Sequence, residues 1–171
     1  SDVNVGLPPG TFYAVDIVRA LNGVMYMMNT NGAVYKWEGS IWSDVTYNMP
    51  AFGKCLAISP SGQLYAGVFN SGVYHFNGVN SWTLVGDPMP NNFVIKMAIS
   101  QEDTIVAVCN SNNLFRCHTS GGAWQSVNSG LPAVNMTGIS IDYQNRWFLG
   151  TSSSPGTLYR SVNNGGTWSQ I

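Results

Sequence analysis

Charged residues are scarce in this 171-residue chain, which has seven Lys plus Arg, eight Asp plus Glu and a formal net charge of −1. They make up 9% of the sequence, whereas roughly 25% is typical of globular domains. A chain so poor in basic residues lacks the electrostatic patch that binds phosphate backbones or anionic lipid. We therefore expect neither a nucleic-acid-binding protein nor a protein of membrane surfaces.

Long hydrophobic runs are also missing. The longest apolar stretches, such as residues 24–28 and 105–109, have the length of a β-strand and are too short to cross a bilayer. The N-terminus has no charged segment followed by an apolar one, the pattern of a secretory leader. With 44% hydrophobic residues the chain still has enough apolar surface to fold around a core. We expect no membrane insertion.

Cysteine is rare and unpaired in the sequence. The three cysteines, Cys55, Cys109 and Cys117, lack the spacing of a zinc site or a disulfide framework, so we expect buried free thiols. Cys117 and His118 are adjacent, and neighbouring residues of a strand point to opposite faces of a sheet. The pair therefore does not indicate a metal site, and we expect neither metal nor cofactor.

Tryptophan, by contrast, marks an internal repeat. Four tryptophans stand at intervals of 40, 42 and 44 residues: Trp42, Trp82, Trp124 and Trp168. A period near 40 residues built from short strands is typical of propeller blades. The sequence therefore predicts an all-β propeller with four four-stranded blades in a single domain. The repeats span residues 11–50, 51–91, 92–133 and 134–171, with residues 1–10 as a latch or linker strand.

Each repeat is predicted to contain four strands separated by polar turns. The innermost strands are the apolar segments 14–18, 55–58, 97–99 and 138–141. The second strands, apolar at nearly every residue as expected where both sheet faces are covered, are residues 24–28, 64–68, 105–109 and 147–150. The fourth strand begins at the tryptophan, and a proline follows it in the first three repeats.

Four blades are at the low limit for a closed propeller. Three arrangements stay open: a ring of four blades within one chain, a ring of eight blades from two chains, and a fragment of a longer propeller. Residues 1–3 match the register of residues 169–171, as if a tryptophan stood just before Ser1. This redundancy favours closure between chains or a fragment, so a homo-oligomer is one expectation.

A basic residue follows the apolar pair of the third strand in every repeat. The four are Lys36, His75, Arg116 and Arg160. One interpretation is that these side chains cover apolar surface at the blade edge with their polar ends in water. The alternative is a ring of ligand contacts. We interpret the repeated tryptophans as packing residues between blades, with a stacking platform for a sugar as the alternative wherever an indole is exposed.

Residues 161–168 resemble the aspartate box of sialidase-type propellers, Ser-x-Asp-x-Gly-x-Thr-Trp, with Asn163 in place of the aspartate. Residues 121–124 keep only its spacing and its final tryptophan. In that family the box is a structural hairpin between the third and fourth strands of a blade, away from the active centre. The resemblance therefore implies a fold and not a reaction.

The shorter repeats, residues 34–42 and 72–78, are similar to blades of tachylectin- and tectonin-type propeller lectins. Members of that group are non-enzymatic and bind sugars in shallow pockets on or between blades, so the resemblance implies glycan recognition. The abundant Asn, Ser and Tyr suit a sugar's hydroxyl groups and its apolar face. The candidate ligand-binding residues are Trp37, Glu38, His75, Phe76, Asn77, Arg116 and Arg160.

Catalysis is not expected. A sialidase-like hydrolase needs three arginines at the substrate carboxylate, a Tyr/Glu nucleophile pair and an acidic proton donor, and this chain has four arginines, two glutamates and no Phe/Tyr-Arg-Ile-Pro motif. Nothing in the repeat places two carboxylates across a glycosidic bond. We expect a glycan-binding or adhesion module, for which an extracellular or a cell- or virion-surface location is favoured. The alternative is a protein-interaction or assembly scaffold.

Overall fold

The structure, a computed structural model, describes residues 4–9 and 13–171. Within these ranges it contains sixteen β-strands in four antiparallel sheets, and it contains no helix that would span a membrane. Each sheet is built from four consecutive strands, and we number the sheets as blades 1 to 4. Blade 1 contains β1 (Ala14–Arg19), β2 (Met25–Asn29), β3 (Val34–Trp37) and β4 (Trp42–Asp44). Blade 2 contains β5 (Gly53–Ile58), β6 (Leu64–Val68), β7 (Gly72–Phe76) and β8 (Trp82–Leu84). Blade 3 contains β9 (Val94–Ile99), β10 (Thr104–Cys109), β11 (Asn113–His118) and β12 (Gln125–Ser126). Blade 4 contains β13 (Met136–Ile141), β14 (Trp147–Thr151), β15 (Leu158–Ser161) and β16 (Ser169–Gln170).

This architecture confirms the predicted all-β propeller with four four-stranded blades. The innermost strands of blades 2 to 4 begin two or three residues earlier than predicted, at Gly53, Val94 and Met136. A register shift lies near this end of each innermost strand. The extra residue of such a bulge lets the pairing continue beyond the point where the apolar pattern stops.

The hairpin between the first and second strands is closed by a side-chain oxygen in three blades. In blade 2 the Ser59 hydroxyl accepts a hydrogen bond from the Gln63 N–H at 3.1 Å. Ser100 in blade 3 and Asp142 in blade 4 accept from the residue four places on in the same way. Polar residues therefore stand at these turns because they replace a missing main-chain partner.

The hydrophobic core lies between the blades. One cluster joins blades 1 and 2 and contains Met28 and Trp82. A second joins blades 2 and 3 and contains Tyr65 and Phe115, and a third, around Trp147, joins blades 3 and 4. Adjacent blades thus cover each other's facing sheet surfaces, which explains why the second strands of blades 2 and 3 are apolar on both sides.

All three cysteines are free and buried in the cluster between blades 2 and 3. Burial raises the pKa of the Cys55 and Cys109 thiols to about 12. A thiol that stays protonated is a poor nucleophile and a poor metal ligand, so these cysteines serve as packing residues.

The indole of each later repeat tryptophan hydrogen-bonds to the blade before it. The bonds run from Trp82 Nε1 to the Val45 carbonyl at 2.8 Å, from Trp124 Nε1 to the Val85 carbonyl at 3.1 Å, and from Trp168 Nε1 to the Val127 carbonyl at 2.9 Å. Each acceptor lies three residues after the tryptophan of its own blade. The same indole-to-carbonyl hydrogen bond therefore occurs at each of the three junctions between successive blades.

The series of blades does not close on itself. The innermost strands pack as β1 on β5, β5 on β9 and β9 on β13, and no contact of similar extent joins β13 to β1. A closed ring of four blades within one chain does not match these contacts. Blades 1 and 4 therefore each keep one sheet face that no other blade covers within the described chain.

Residues 4–9 lie along the outer part of blade 1. The Val5 carbonyl accepts a hydrogen bond from the Trp42 N–H at 2.9 Å, and Leu7 packs against the cluster that contains Trp42. The remainder of the predicted latch, residues 1–3 and 10, lies outside the described residues. The described segment covers the outer strand of blade 1 and leaves the inner strand β1 uncovered.

Candidate functional site

Each blade carries one set of four side chains that lie directly opposite one another across its four strands. We call these sets the basic rows, because the third member of each is the repeated basic residue. The rows are Val18, Tyr26, Lys36 and Ser43 in blade 1, Ala57, Tyr65, His75 and Thr83 in blade 2, Ala98, Val106, Arg116 and Gln125 in blade 3, and Ser140, Phe148, Arg160 and Ser169 in blade 4. Residues opposite one another across a sheet share one face, so each row presents an aromatic or aliphatic residue beside a basic one.

The basic row of blade 2 faces the outer hairpin loop of blade 3 across a groove of about 330 Å³. We call this the blade 2–3 groove. Blade 2 lines it with Gln63, Tyr65, His75 and Thr83, and blade 3 with residues 119–121. Neutral hydroxyl, amide and imidazole groups therefore meet in one concave site, the usual form of a small-molecule site.

His75 lies over Tyr65 in this groove, with ring centroids 4.9 Å apart. Tyr65 is 1% exposed and forms the floor, and its hydroxyl donates to Gln63 Oε1 at 3.1 Å. No hydrogen bond from the described residues reaches the His75 imidazole, so its two ring nitrogens are available to a ligand. Desolvation by the surrounding protein lowers the pKa of His75 below its ordinary 6.5 and raises the pKa of Tyr65. Both side chains are therefore neutral at pH 7.

The lowered pKa of His75 predicts a pH-dependent stability. Below about pH 6.5 the unfolded chain binds a proton at this position more readily than the folded chain, so the free energy of unfolding decreases as the pH falls through the window between the two pKa values. Replacing His75 by Phe is expected to remove the contribution of this residue to the pH dependence of the free energy of unfolding. Urea denaturation between pH 5 and 7.5 measures that free energy. Val79→Ala changes an exposed, uncharged loop residue of the same blade and is expected to keep the wild-type slope. Equal slopes for His75→Phe and wild type would contradict the prediction.

Phe76 and Asn77, predicted beside His75, line a smaller groove between blades 1 and 2 of about 160 Å³. Phe76 is buried and packs on Trp82 at a centroid distance of 5.0 Å. The Asn77 side-chain oxygen accepts hydrogen bonds from the N–H groups of residues 79–81 and so closes the β7–β8 loop. In this structure both residues hold blade 2 together.

Arg116 is engaged by the protein. Its Nε and Nη2 donate to Gln125 Oε1 at 3.1 and 3.0 Å, and its Nη1 donates to the Asn164 carbonyl of blade 4 at 2.6 Å. A cavity of about 270 Å³ beside it is also lined by Thr104 and His118. Arg116 therefore joins β11 and β12 of blade 3 to the β15–β16 loop of blade 4 and has few donors left for a ligand.

The other predicted residues lie apart from the blade 2–3 groove. Trp37 packs on Trp42 at a centroid distance of 5.3 Å, and Glu38 accepts a hydrogen bond from Lys36 Nζ at 2.8 Å. This bond raises the pKa of Lys36 and lowers that of Glu38. Arg160 makes no hydrogen bond or ion pair with the described residues. The structure thus places His75 in the blade 2–3 groove, where Phe76 and Asn77 do not reach, and all three residues line the smaller groove between blades 1 and 2. Trp37, Glu38, Arg116 and Arg160 lie elsewhere.

Sequence reasoning missed most of the blade 2–3 groove. Tyr65, Gln63 and Thr83 were not among the candidates, nor was the loop of residues 119–121. One signal was present for Tyr65: it precedes His75 by ten residues, as Tyr26 precedes Lys36, and this spacing places the pair opposite each other in a hairpin. The described chain contains no group of three or more His, Cys, Asp or Glu side chains that could hold a metal ion.

The β15–β16 loop is held by side-chain hydrogen bonds. The Ser161 hydroxyl donates to Asn163 Oδ1 at 3.0 Å and accepts from the Gly165 N–H at 2.9 Å. Asn163 Oδ1 also accepts from the Thr167 N–H at 2.9 Å. The loop therefore has a fixed shape, which positions the Asn164 carbonyl against Arg116.

Comparisons with known proteins identify similar folds but no family. No protein-family model matches the chain, and no curated protein matches it in sequence. YCF48 from Cyanidioschyzon merolae is 14% identical, with a TM-score of 0.67 over 95% of this chain and 57% of its own. Virginiamycin B lyase from Staphylococcus aureus is 14% identical, with a TM-score of 0.74 over 92% of this chain and 55% of its own.

A third solved structure with a similar fold is that of an enzyme. The GH74 xyloglucanase from Xanthomonas campestris is 17% identical, with a TM-score of 0.73 over the whole of this chain and 31% of its own. The chain spans little more than half the length of the first two proteins and about a third of this one. At such identities the likeness shows the fold alone. Together with the four sheets, it identifies this chain as a β-propeller repeat protein.

Proposed function

We propose that this chain is a non-enzymatic binding module that recognises an uncharged glycan in the blade 2–3 groove. The observation that carries the proposal is the composition of the groove, which contains no Lys, Arg, Asp or Glu. Its polar groups are those of Gln63, Tyr65, His75, Thr83 and the loop opposite. Neutral donors and acceptors in a partly dehydrated site suit a ligand that is rich in hydroxyl groups and carries no charge.

The same composition argues against glycoside hydrolysis in this groove. A hydrolase places two carboxyl groups on either side of the bond that it cleaves, and none lines this site. The lectin resemblance of the shorter repeats supports a binding role. We also regard the loop of residues 161–168 as a variant aspartate box whose role is structural, since its polar side chains bond to the loop itself.

A protein-interaction or assembly scaffold is the second candidate. The observation that favours it is the similarity to YCF48, for which a structure bound to D1 peptide is known, with 19% identity and a TM-score of 0.66 over 97% of this chain. In that case the groove would take a peptide segment, whose main-chain groups also pair with neutral donors and acceptors. A panel of ligands that contains both chemical classes separates the two candidates.

The test is a binding screen with neutral oligosaccharides, sialylated oligosaccharides and unstructured peptides. We expect a neutral oligosaccharide to bind the wild type, and His75→Ala to weaken its affinity by about tenfold or more through the loss of an imidazole contact. Isothermal titration calorimetry measures the affinities. Lys36→Ala alters the same row position of blade 1 and is expected to bind as the wild type does. Thermal melts establish that both variants are folded.

The outcomes are distinct. Binding of peptides without any oligosaccharide would support the scaffold and contradict glycan recognition. Oligosaccharide binding that His75→Ala leaves unchanged would show that the ligand lies outside the blade 2–3 groove.

A further inference from the structure

Aromatic residues collect at the end of the blades where the innermost strands begin. An aromatic residue directly precedes the innermost strand in three blades: Tyr13 before β1, Phe52 before β5 and Phe93 before β9. In each case its carbonyl accepts a hydrogen bond from the N–H of the residue that follows the second strand. This pairing holds the three residues at the same place in their blades.

In blades 2 and 3 these residues belong to one contiguous cluster. The Phe52 carbonyl accepts from the Phe69 N–H at 3.0 Å, and the Phe69 ring meets the Phe93 ring edge to face at a centroid distance of 4.7 Å. Lys54 Nζ lies 5.6 Å from the centre of the Phe69 ring. We call these four residues the aromatic patch. None of its three phenylalanines belongs to a hydrophobic core cluster of the described chain.

The aromatic patch is exposed although a blade lies on either side of blade 2. Phe52 is 60% exposed, and Phe69 and Phe93 are partly exposed. Blade 2 packs on blade 1 through β1 and on blade 3 through β9. Both neighbours of blade 2 are thus in place and leave the rings in solvent. Exposed aromatic surface of this kind marks an interaction site.

The backbone of Phe52 is in an unfavourable conformation. Its φ of +69° lies in the left-handed region, which a bulky side chain rarely adopts and glycine adopts easily. Packing does not account for a phenylalanine here, since most of the ring is in solvent. A large aromatic residue at such a position indicates that its ring has a role outside the fold.

The amide groups beside the aromatic patch are already hydrogen-bonded. The Asn91 side chain donates to the Asn110 carbonyl at 2.9 Å and accepts from a main-chain N–H at 3.1 Å. The Asn92 side chain donates to the Asn70 carbonyl at 3.1 Å. Lys54 forms no hydrogen bond or ion pair with the residues that the structure describes. The patch therefore offers an apolar surface and one unpaired positive charge, and it has few free groups for the hydroxyls of a sugar.

We propose that the aromatic patch docks a partner protein through an acidic peptide segment that carries a large apolar side chain. The apolar side chain contacts the rings of Phe52 and Phe69, and an adjacent carboxylate of the segment pairs with Lys54. The charge of Lys54 favours an acidic segment over a basic one, because no carboxylate of the described chain neutralises it.

The proposal is independent of the glycan-binding function. Gln63 and Tyr65 in the blade 2–3 groove lie at the start of β6, whereas the aromatic patch includes Phe69, which follows the end of β6. The two sites are therefore at opposite ends of this strand, and the loss of one leaves the other in place.

Isothermal titration calorimetry with short acetylated peptides tests the proposal. The probe is an unstructured peptide in which one phenylalanine stands between two glutamates. Matched peptides replace the phenylalanine by alanine, or both glutamates by lysines. We expect the probe to bind the wild-type chain and each matched peptide to bind about tenfold more weakly or less.

Substitutions in the aromatic patch locate the binding. Phe52→Gly and Lys54→Glu are each expected to weaken binding of the probe by about tenfold or more, and Lys54→Glu is expected to reverse the preference in favour of the lysine peptide. Val79→Ala changes an exposed loop residue of the same blade and is expected to bind the probe as the wild type does. Phe52→Gly is expected to melt within about 4 °C of the wild type, because the ring is mostly in solvent and glycine relieves the backbone.

Four results would overturn the proposal. The first is a probe that does not bind the wild-type chain, and the second is binding that Phe52→Gly and Lys54→Glu leave unchanged. The third is a much larger fall in the melting temperature of Phe52→Gly, which would make the ring a structural residue. The fourth is binding of a neutral oligosaccharide that Phe52→Gly abolishes, which would make the aromatic patch a glycan site.

Discussion

Replacing Trp82 by alanine is expected to lower the free energy of unfolding by about 3 to 5 kcal/mol. Trp82 is 2% exposed and packs on Phe76 in the cluster between blades 1 and 2. Its indole donates to the Val45 carbonyl, and its main-chain N–H donates to Asn48 Oδ1 at 2.8 Å. The substitution leaves both a cavity and an unpaired carbonyl group in the interior.

Urea denaturation of three variants separates these contributions. Trp82→Phe keeps most of the apolar volume and loses the indole N–H, so it is expected to cost less than Trp82→Ala. Val79→Ala, in the exposed loop before Trp82, is the control and is expected to change stability by no more than about 0.5 kcal/mol. A loss below about 1 kcal/mol for Trp82→Ala would show that the indole does not hold the two blades together.

The second large effect is expected from Gly165→Ala, with a loss of about 2 to 4 kcal/mol. Gly165 has a φ of +80°, a conformation that favours glycine. A Cβ at this position would lie 2.7 Å from Trp147 Cζ3 and 2.9 Å from Val127 Cβ. Trp147 is 0% exposed and cannot move aside without disturbing the contact between blades 3 and 4.

Gly39→Ala is the matched control for this substitution. Gly39 has a φ of +88°, and nothing lies within 4 Å of a Cβ built on it. Its variant therefore carries only the backbone cost, about 1 to 2 kcal/mol. Thermal or urea denaturation compares the two variants. Equal losses would indicate that the neighbours of Gly165 adjust freely and that the packing between blades 3 and 4 is loose.

The spacing of the tryptophans was sufficient to predict the fold. It works because the indole of one blade must meet the carbonyl of the blade before it, and this requirement recurs once in each repeat. Strand ends were less predictable. The innermost strands continue through a bulge to Gly53, Val94 and Met136, and main-chain pairing there does not depend on an apolar side chain.

The candidate site was predictable only in part. His75 was found because its position repeats, and its partner Tyr65 follows from the hairpin register. Contacts between blades leave neither a repeated position nor a fixed spacing in the sequence from which they could be predicted. Arg116 meets Asn164 from 48 residues away, through a loop whose shape depends on its own hydrogen bonds. Equivalent positions of the repeat therefore differ in role. His75 faces the open blade 2–3 groove, whereas Arg116 is hydrogen-bonded to blade 4.

The central claim is that successive blades are joined by a repeated indole-to-carbonyl hydrogen bond. Hydrogen exchange of the tryptophan indole N–H groups, followed by two-dimensional NMR, tests it most directly. The account predicts that the indole hydrogens of Trp82, Trp124 and Trp168 exchange slowly and at similar rates, because each is released only when two blades separate. Exchange of these three hydrogens at the rate of a free indole would contradict it.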